Sequence, residues 1–195
     1  MTDEWRQITD VGVDLDGVIY PFVETYSTIH LDYNNIPALP KATKWNFFED
    51  WGMTGKEFVA SMEKYIDNNR LFSRGEPEPK TNIGWSILRK AGVKIHVVTS
   101  RPRSAWAQTV EWLDEWNLHP DTLHFTDNKT AFSSNPATTA SIDDLHEHFT
   151  AMRMQGMRAY LMNRPWNSEI KELARVDSFY EFANIVYSLN NPEGV

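Results

Sequence analysis

The 195-residue chain contains no cysteine. That excludes disulfide frameworks and thiol chemistry and suits a reducing compartment. Positive charge is also scarce. The formal net charge is −8 and the pI about 5.2. No basic stripe of the kind that tracks a nucleic-acid backbone is visible. A phosphate substrate stays compatible, because a divalent cation and one or two local bases reverse the sign at a site. No apolar run approaches the length of a membrane span. The start, Met1-Thr2-Asp3-Glu4-Trp5, is acidic and polar, unlike a signal peptide. There is no internal repeat and no low-complexity segment. The expectation is a cytoplasmic protein with no nucleic-acid and no membrane partner.

What is present is apolar and aromatic. Hydrophobic residues make up 41%, enough at this length for one sizeable core and a small accessory lobe. Aromatics reach 13%, with eight Trp, more than such a core needs. Most are ordinary anchors, and some are candidates to line a pocket for a flat ligand.

The stretch Asp14-Leu15-Asp16-Gly17-Val18 follows an apolar run, Ile8 to Val13, that reads as a buried strand. Carboxylates at alternate positions of a strand point the same way, so Asp14 and Asp16 crowd one face. A cation relieves their repulsion. Gly17 permits the bend out of the sheet. A calcium EF-hand loop also begins Asp-x-Asp, but Val18 and Thr25 stand where that loop needs ligands. The plain alternative is a strand end with two solvated carboxylates.

Along the chain, Phe22 to His30 has helical spacing, and residues 34–40 read as loop. Trp45-Asn46-Phe47-Phe48-Glu49-Asp50-Trp51 is a dense aromatic patch. Thr54-Gly55-Lys56-Glu57 fits a capping box opening a helix through about Asn68. Arg74-Gly75-Glu76-Pro77-Glu78-Pro79 is a break. From Lys80, helices at 83–91, 104–116, 145–155 and 178–189 alternate with strands at 93–98, 122–126, 138–142 and 158–162. That rhythm predicts an α/β fold, a Rossmann-like three-layer parallel sheet. Residues 1–19 and 77–195 are expected to form its core, and residues 20–76 a small helical cap inserted after the first strand.

Ligands of open parallel sheets bind beyond the carboxyl ends of the strands. The successive strand ends here carry Asp14 and Asp16, then Thr99 and Ser100, then Lys129, then Asp143 and Asp144. Such a set suits phosphoryl transfer. A carboxylate attacks phosphorus, an acid serves the leaving oxygen, and hydroxyls and an ammonium hold the equatorial oxygens. Few hard oxygen ligands suit Mg²⁺.

In these four motifs the sequence resembles the haloacid dehalogenase-like (HAD) phosphatase superfamily. With Phe22, Trp45-Asn46-Phe47-Phe48, Asp127-Asn128-Lys129-Thr130 and Ile142-Asp143-Asp144, it more narrowly resembles the 5′(3′)-deoxyribonucleotidase family. The resemblance implies Asp14 as nucleophile and Asp16 as acid/base. It also implies Mg²⁺ on the Asp14 and Asp144 side chains and the Asp16 carbonyl. Asp144 is favoured over Asp143, which would stand behind it. Thr99, Ser100 and Lys129 would hold phosphate. An acid/base at Asp16 argues against dehalogenation. Phe22 matches a position against the nucleobase, with Trp45, Phe47, Phe48 and Tyr65 as candidates for the same pocket or for packing within the lid. The implied partner is a small-molecule phosphate ester, a nucleoside monophosphate above all. Another small ester, a nucleic-acid 3′-phosphate end, or a non-catalytic nucleotide binder on the same fold are the alternatives. The superfamily also admits a homodimer.

The sequence departs from that family at Arg101-Pro102-Arg103 and in a longer segment between Lys129 and Asp143. Arg101 is a candidate for a further phosphate contact or for capping the next helix. His146 and His148, two apart on a helix, make a poor metal pair. Arg164-Pro165-Trp166-Asn167 either borders the site or is an ordinary loop.

Overall fold

The computed structural model describes residues 7–192; the polar stretch Met1 to Trp5 lies outside the described residues. Strands β1 (Asp10–Val13), β2 (Lys94–Thr99), β3 (Thr122–Phe125), β4 (Thr139–Asp143), β5 (Arg158–Met162) and β6 (Arg175–Val176) form one six-stranded sheet. Its order is β3-β2-β1-β4-β5-β6, and every neighbouring pair is parallel. Helices α1 (Phe22–Asn34), α2 (Phe47–Asp50), α3 (Gly55–Asn69) and α4 (Thr81–Lys90) lie between β1 and β2. Helix α5 (Trp106–Glu115) precedes β3, α6 (His146–Met154) precedes β5, and α7 (Phe179–Asn190) follows β6. The chain is an α/β protein, as its alternation of apolar runs predicts. Among the described residues, no helix is long and apolar enough to cross a membrane.

Register shows how both faces are covered. Ala159 and Leu161 lie beside Ser141 and Asp143, whereas Tyr160 lies beside Ile142. Successive strand residues face opposite ways. Ala159 and Leu161 pack with Phe149 and Met152 of α6. Tyr160 meets Phe182 of α7 at 5.5 Å on the other face. Burial on both faces explains the near-continuous apolar strands. In β1, Val11 and Val13 are fully buried. Gly12 leaves room for Phe132, since a Cβ there would sit 2.3 Å from its ring.

The chain runs from β1 outward to β2 and β3, then returns to the other side of β1 with β4. The switch point therefore lies at the end of β1, where a crevice opens. Asp14 is the first residue past that end.

Helices α1 to α3 pack through rings: Phe48 stacks on Phe58 at 4.6 Å, and Tyr26 meets Phe58 at 5.1 Å. This aromatic packing continues into the sheet's own core, where Tyr20 meets Trp112 edge-on at 5.1 Å. The capping box forms: Thr54 Oγ1 accepts from the Glu57 amide, and Glu57 accepts from the Thr54 amide. Some boundaries move. The first strand begins at Asp10, not Ile8. Helix α1 runs to Asn34, and Asn35 in the left-handed region ends it, donating to Leu31. Strand β6 has only two residues, too short to show any alternation.

Candidate active site

The turn after β1 is built on Leu15. Its side chain is buried, and its carbonyl accepts from the amides of Val18, Ile19 and Tyr20 at 3.1, 3.0 and 2.8 Å. Gly17 has φ +74°, and a Cβ there would lie 2.1 Å from Asp144 Oδ2 and 3.2 Å from the Trp166 ring. Glycine is required twice over, by backbone conformation and by contact. The turn leaves Asp14 and Asp16 facing the crevice.

Lys129 is the one ammonium buried among these carboxylates. Its Nζ donates to Asp14 Oδ1 at 2.5 Å and to the Val98 carbonyl at 2.6 Å, and lies 3.5 Å from Asp143 Oδ2. Asp143 Oδ1 also accepts from the Leu145 amide at 2.9 Å. His148 Nδ1 lies 3.3 Å from the same carboxylate. Burial pushes Asp14 up to about 7, with Asp143 and Asp16 adding to the rise and Lys129 opposing it. Asp144 is pushed well above the usual carboxylate range by burial and by Asp143 and Asp14. Burial also raises the Asp143 carboxyl, but Lys129 and His148 outweigh it and hold the group below its ordinary value.

Asp14, Asp143 and Asp144 each offer an oxygen, with all three atoms within 4.8 Å of one another. Asp144 Oδ1 is buried with no hydrogen-bond partner. A buried carboxylate oxygen without a donor is costly. A hard divalent cation among these carboxylates that also took Asp144 Oδ1 would give the orphan a partner and relieve the repulsion that raises Asp14 and Asp144. The donor set thus fits Mg²⁺, held by Asp14 and Asp144 with Asp143 tied behind them to Lys129.

Arg101 does something other than its motif position suggests. Its fully buried guanidinium donates through Nε to Asp16 Oδ1 and Oδ2 at 3.1 and 3.0 Å, and through NH2 to Oδ1 at 2.7 Å. NH1 donates to Thr109 Oγ1 at 3.0 Å. The plane packs between the Phe72 and Tyr20 rings at 4.4 and 4.5 Å. Four hydrogen bonds and two rings fix its orientation, and in this structure it clamps Asp16.

A cavity of about 220 Å³ opens above this floor. Asp14, Asp16, Asp144, Ser100 and Arg101 line one end, and Phe22, Trp45, Phe47 and Phe48 the other. Phe58, Met62 and Phe72 complete the apolar wall, and Pro102, His148 and Trp166 the rim. Four expected residues do not line it: Tyr65, Thr99, Lys129 and Asp143. Tyr65 is buried elsewhere, with its hydroxyl 2.9 Å from His30 Nδ1, beside a separate depression with Tyr33 and Lys64. Tyr65 shares the helical face of Phe58 and Met62 but lies about two turns along from Phe58, where its ring packs on Tyr26 at 5.4 Å. Thr99 is fully buried, and its Oγ1 accepts from the Arg101 amide at 3.2 Å. Lys129 lies beneath Asp14 rather than on the cavity wall.

Phe58 and Met62 were legible only as an apolar helix face, and Phe72 follows the helix with no periodic signal. His148 reaches the site alone, while His146 turns to Glu172 at 3.3 Å. The Arg164–Asn167 turn borders the site. Trp166 Nε1 donates to Asp144 Oδ2 at 2.9 Å, and Arg164 Nε donates to the Gly17 carbonyl at 2.6 Å.

The sequence matches, over residues 6–190, the model of the family described as 5′ nucleotidase, deoxy (pyrimidine), cytosolic type C protein. No curated protein matches it significantly. Among solved structures, the chain is similar to a HAD-superfamily hydrolase, subfamily IA, of Geobacter sulfurreducens. The TM-score is 0.63 at 15% identity, over 92% of this chain and 96% of that one. It is similar to the HAD-hydrolase YfnB of Bacillus subtilis, solved bound to magnesium. There the TM-score is 0.65 at 13% identity, over 93% and 99% of the two chains. A haloacid dehalogenase-like family hydrolase of Streptococcus pneumoniae gives 0.66 at 11% identity, over 91% and 98%.

Proposed function

The chain belongs to the 5′ nucleotidase, deoxy (pyrimidine), cytosolic type C family, a group of HAD-type phosphatases, and from that premise we propose that it is a Mg²⁺-dependent phosphomonoesterase acting on (deoxy)nucleoside monophosphates through an aspartyl-phosphate. The observation that carries this reading is one cavity with two ends. An acidic floor that includes Asp14 and an aromatic wall line the same cavity of about 220 Å³. We take residues 1–19 and 77–195 as the catalytic core, residues 20–76 as its cap, and the cytoplasm as its compartment.

In the first step, Asp14 attacks phosphorus and the bond to the leaving oxygen breaks. Asp16 gives that oxygen its proton. Asp16 Oδ2 accepts only from Arg101 Nε, so a lone pair remains for the cavity. In the second step, Asp16 takes a proton from water, which attacks phosphorus and releases Asp14 and inorganic phosphate. Lys129 keeps Asp14 oriented and offsets the negative charge gathered around it. Ser100, exposed at the cavity end, is placed to donate to a phosphate oxygen. Bound Mg²⁺ would supply the remaining neutralisation when an anion attacks an anion. At the other end, Phe22, Phe47, Phe48, Phe58 and Phe72 offer ring faces to a nucleobase, whose stacking needs no particular edge.

The test is phosphate release from a panel of ribo- and deoxyribonucleoside monophosphates and sugar phosphates, with Mg²⁺ and after EDTA. Chelator-sensitive hydrolysis favouring nucleotides is the expected result. Preference for a sugar phosphate would leave the chemistry standing and remove the nucleotide. A folded protein inactive on the whole panel would instead favour the nucleotide-binding alternative.

A further inference from the structure

We propose that Trp166 is a positioning residue for the metal: its indole N–H occupies one oxygen of Asp144 so that the other is presented to the cation. The inference rests on the Mg²⁺ site proposed above. Trp166 sits in the turn after β5, far in sequence from every motif of the site. Yet Nε1 donates to Asp144 Oδ2 at 2.9 Å. The same Oδ2 lies against Gly17, where a Cβ would come within 2.1 Å of it. Oδ1 has neither a donor nor solvent. The two oxygens are thus unequal before any ion arrives. One is committed to the protein and the other is left bare, and an oxygen of Asp144 lies within 4.8 Å of one from Asp14 and one from Asp143.

The indole suits the task by what it lacks. It is a donor only, with one N–H and no charge. A lysine or arginine here would fix Oδ2 equally well but set a positive charge against the cation. The turn that carries the indole is itself tied down. Asn167, almost fully buried, donates through Nδ2 to the Asp144 carbonyl and to the Met162 carbonyl, each at 2.8 Å. Its Oδ1 accepts from the Arg164 amide at 3.1 Å and from Arg175 NH2 at 2.6 Å. Arg164 in turn holds the Gly17 carbonyl at 2.6 Å and Glu78 at 2.6 Å. One short turn therefore fixes the side chain and carbonyl of Asp144 and the glycine opposite it. Partners behind a metal ligand commonly govern affinity by ten- to a hundred-fold.

The test is Mn²⁺ binding, by electron paramagnetic resonance or calorimetry, to wild type and Trp166→Phe without substrate. The ring stays and the N–H goes. The expected result is a Kd for Mn²⁺ about ten-fold weaker or more in the variant, with the metal-free melting temperature close to wild type. Equal Mn²⁺ affinity overturns the inference while leaving the site intact. So does a raised KM for nucleotide at unchanged metal affinity, which would make Trp166 a wall of the substrate pocket. If wild type itself shows no saturable Mn²⁺ binding, the metal site fails and this inference with it. A second measurement needs no variant to fold. In the wild type, the Trp166 indole resonance should shift as Mg²⁺ is added and saturate with the site. A resonance that Mg²⁺ leaves in place overturns the proposal.

Discussion

The two ends of the cavity are built on opposite principles. At the floor, nearly every polar atom is held: Lys129 by Asp14 and Val98, Asp16 by Arg101, Asp143 by Leu145 and His148. Asp144 Oδ1 is instead buried without a partner. At the wall, rings touch rings, and Phe22 stacks on Phe72 at 5.7 Å. Apolar contacts tolerate repacking, while buried charges do not. A floor fixed by charge and a wall adjustable by shape would let one phosphoryl-transfer apparatus serve several leaving groups.

The comparison breaks hardest at Asp14. Asp14→Asn keeps shape and removes the proposed nucleophile, so kcat should fall by on the order of 10⁴-fold or more. Steady-state phosphate release measures it. Next comes Lys129→Met, which leaves buried carboxylates without their counter-charge. A loss of about 3–5 kcal/mol is expected in urea unfolding of the metal-free protein. Added Mg²⁺ should recover part of it through linkage. An unchanged midpoint would mean the floor is not held by charge.

Arg101→Lys separates two roles. As the clamp of Asp16, Arg101 should cost kcat when replaced, by roughly 10²-fold, with little change in KM. A rise in KM with kcat preserved would return it to phosphate binding. The wall should respond more gently. Phe72→Ala or Phe48→Ala removes a ring face worth about 1–3 kcal/mol to a stacked base. The expected signature is a raised KM for nucleotides with kcat for a small aryl phosphate largely kept. Tyr65→Phe, which leaves the cavity wall untouched, should change neither constant. A Tyr65→Phe variant with raised KM would redraw the wall.

The sheet was legible because its strands are buried on both faces and read as apolar runs, and because each helix between them has its own period. The floor was legible for a related reason. Parallel strands end on one side, so residues closing successive runs meet there, as Asp14, Lys129, Asp143 and Asp144 do. Contacts set by side-chain direction were not legible. Arg101 follows Thr99 and Ser100 like a phosphate ligand, but the space between Tyr20 and Phe72 turns it onto Asp16. Tyr65 shares a helix with Phe58 and Met62, yet points to His30. The Arg164–Asn167 stretch could be read either as bordering the site or as an ordinary loop, and only the bond from Trp166 to Asp144 decides between them.

The proposed mechanism turns on a covalent bond between Asp14 and phosphorus. The most direct measurement is an acid quench of the enzyme turning over a deoxynucleoside monophosphate labelled in its phosphate, followed by peptide mapping. A hydroxylamine-sensitive label on the peptide containing Asp14 is expected, formed with Mg²⁺ and absent after EDTA or in Asp14→Asn. Full turnover by an enzyme that carries its label on another residue would contradict it.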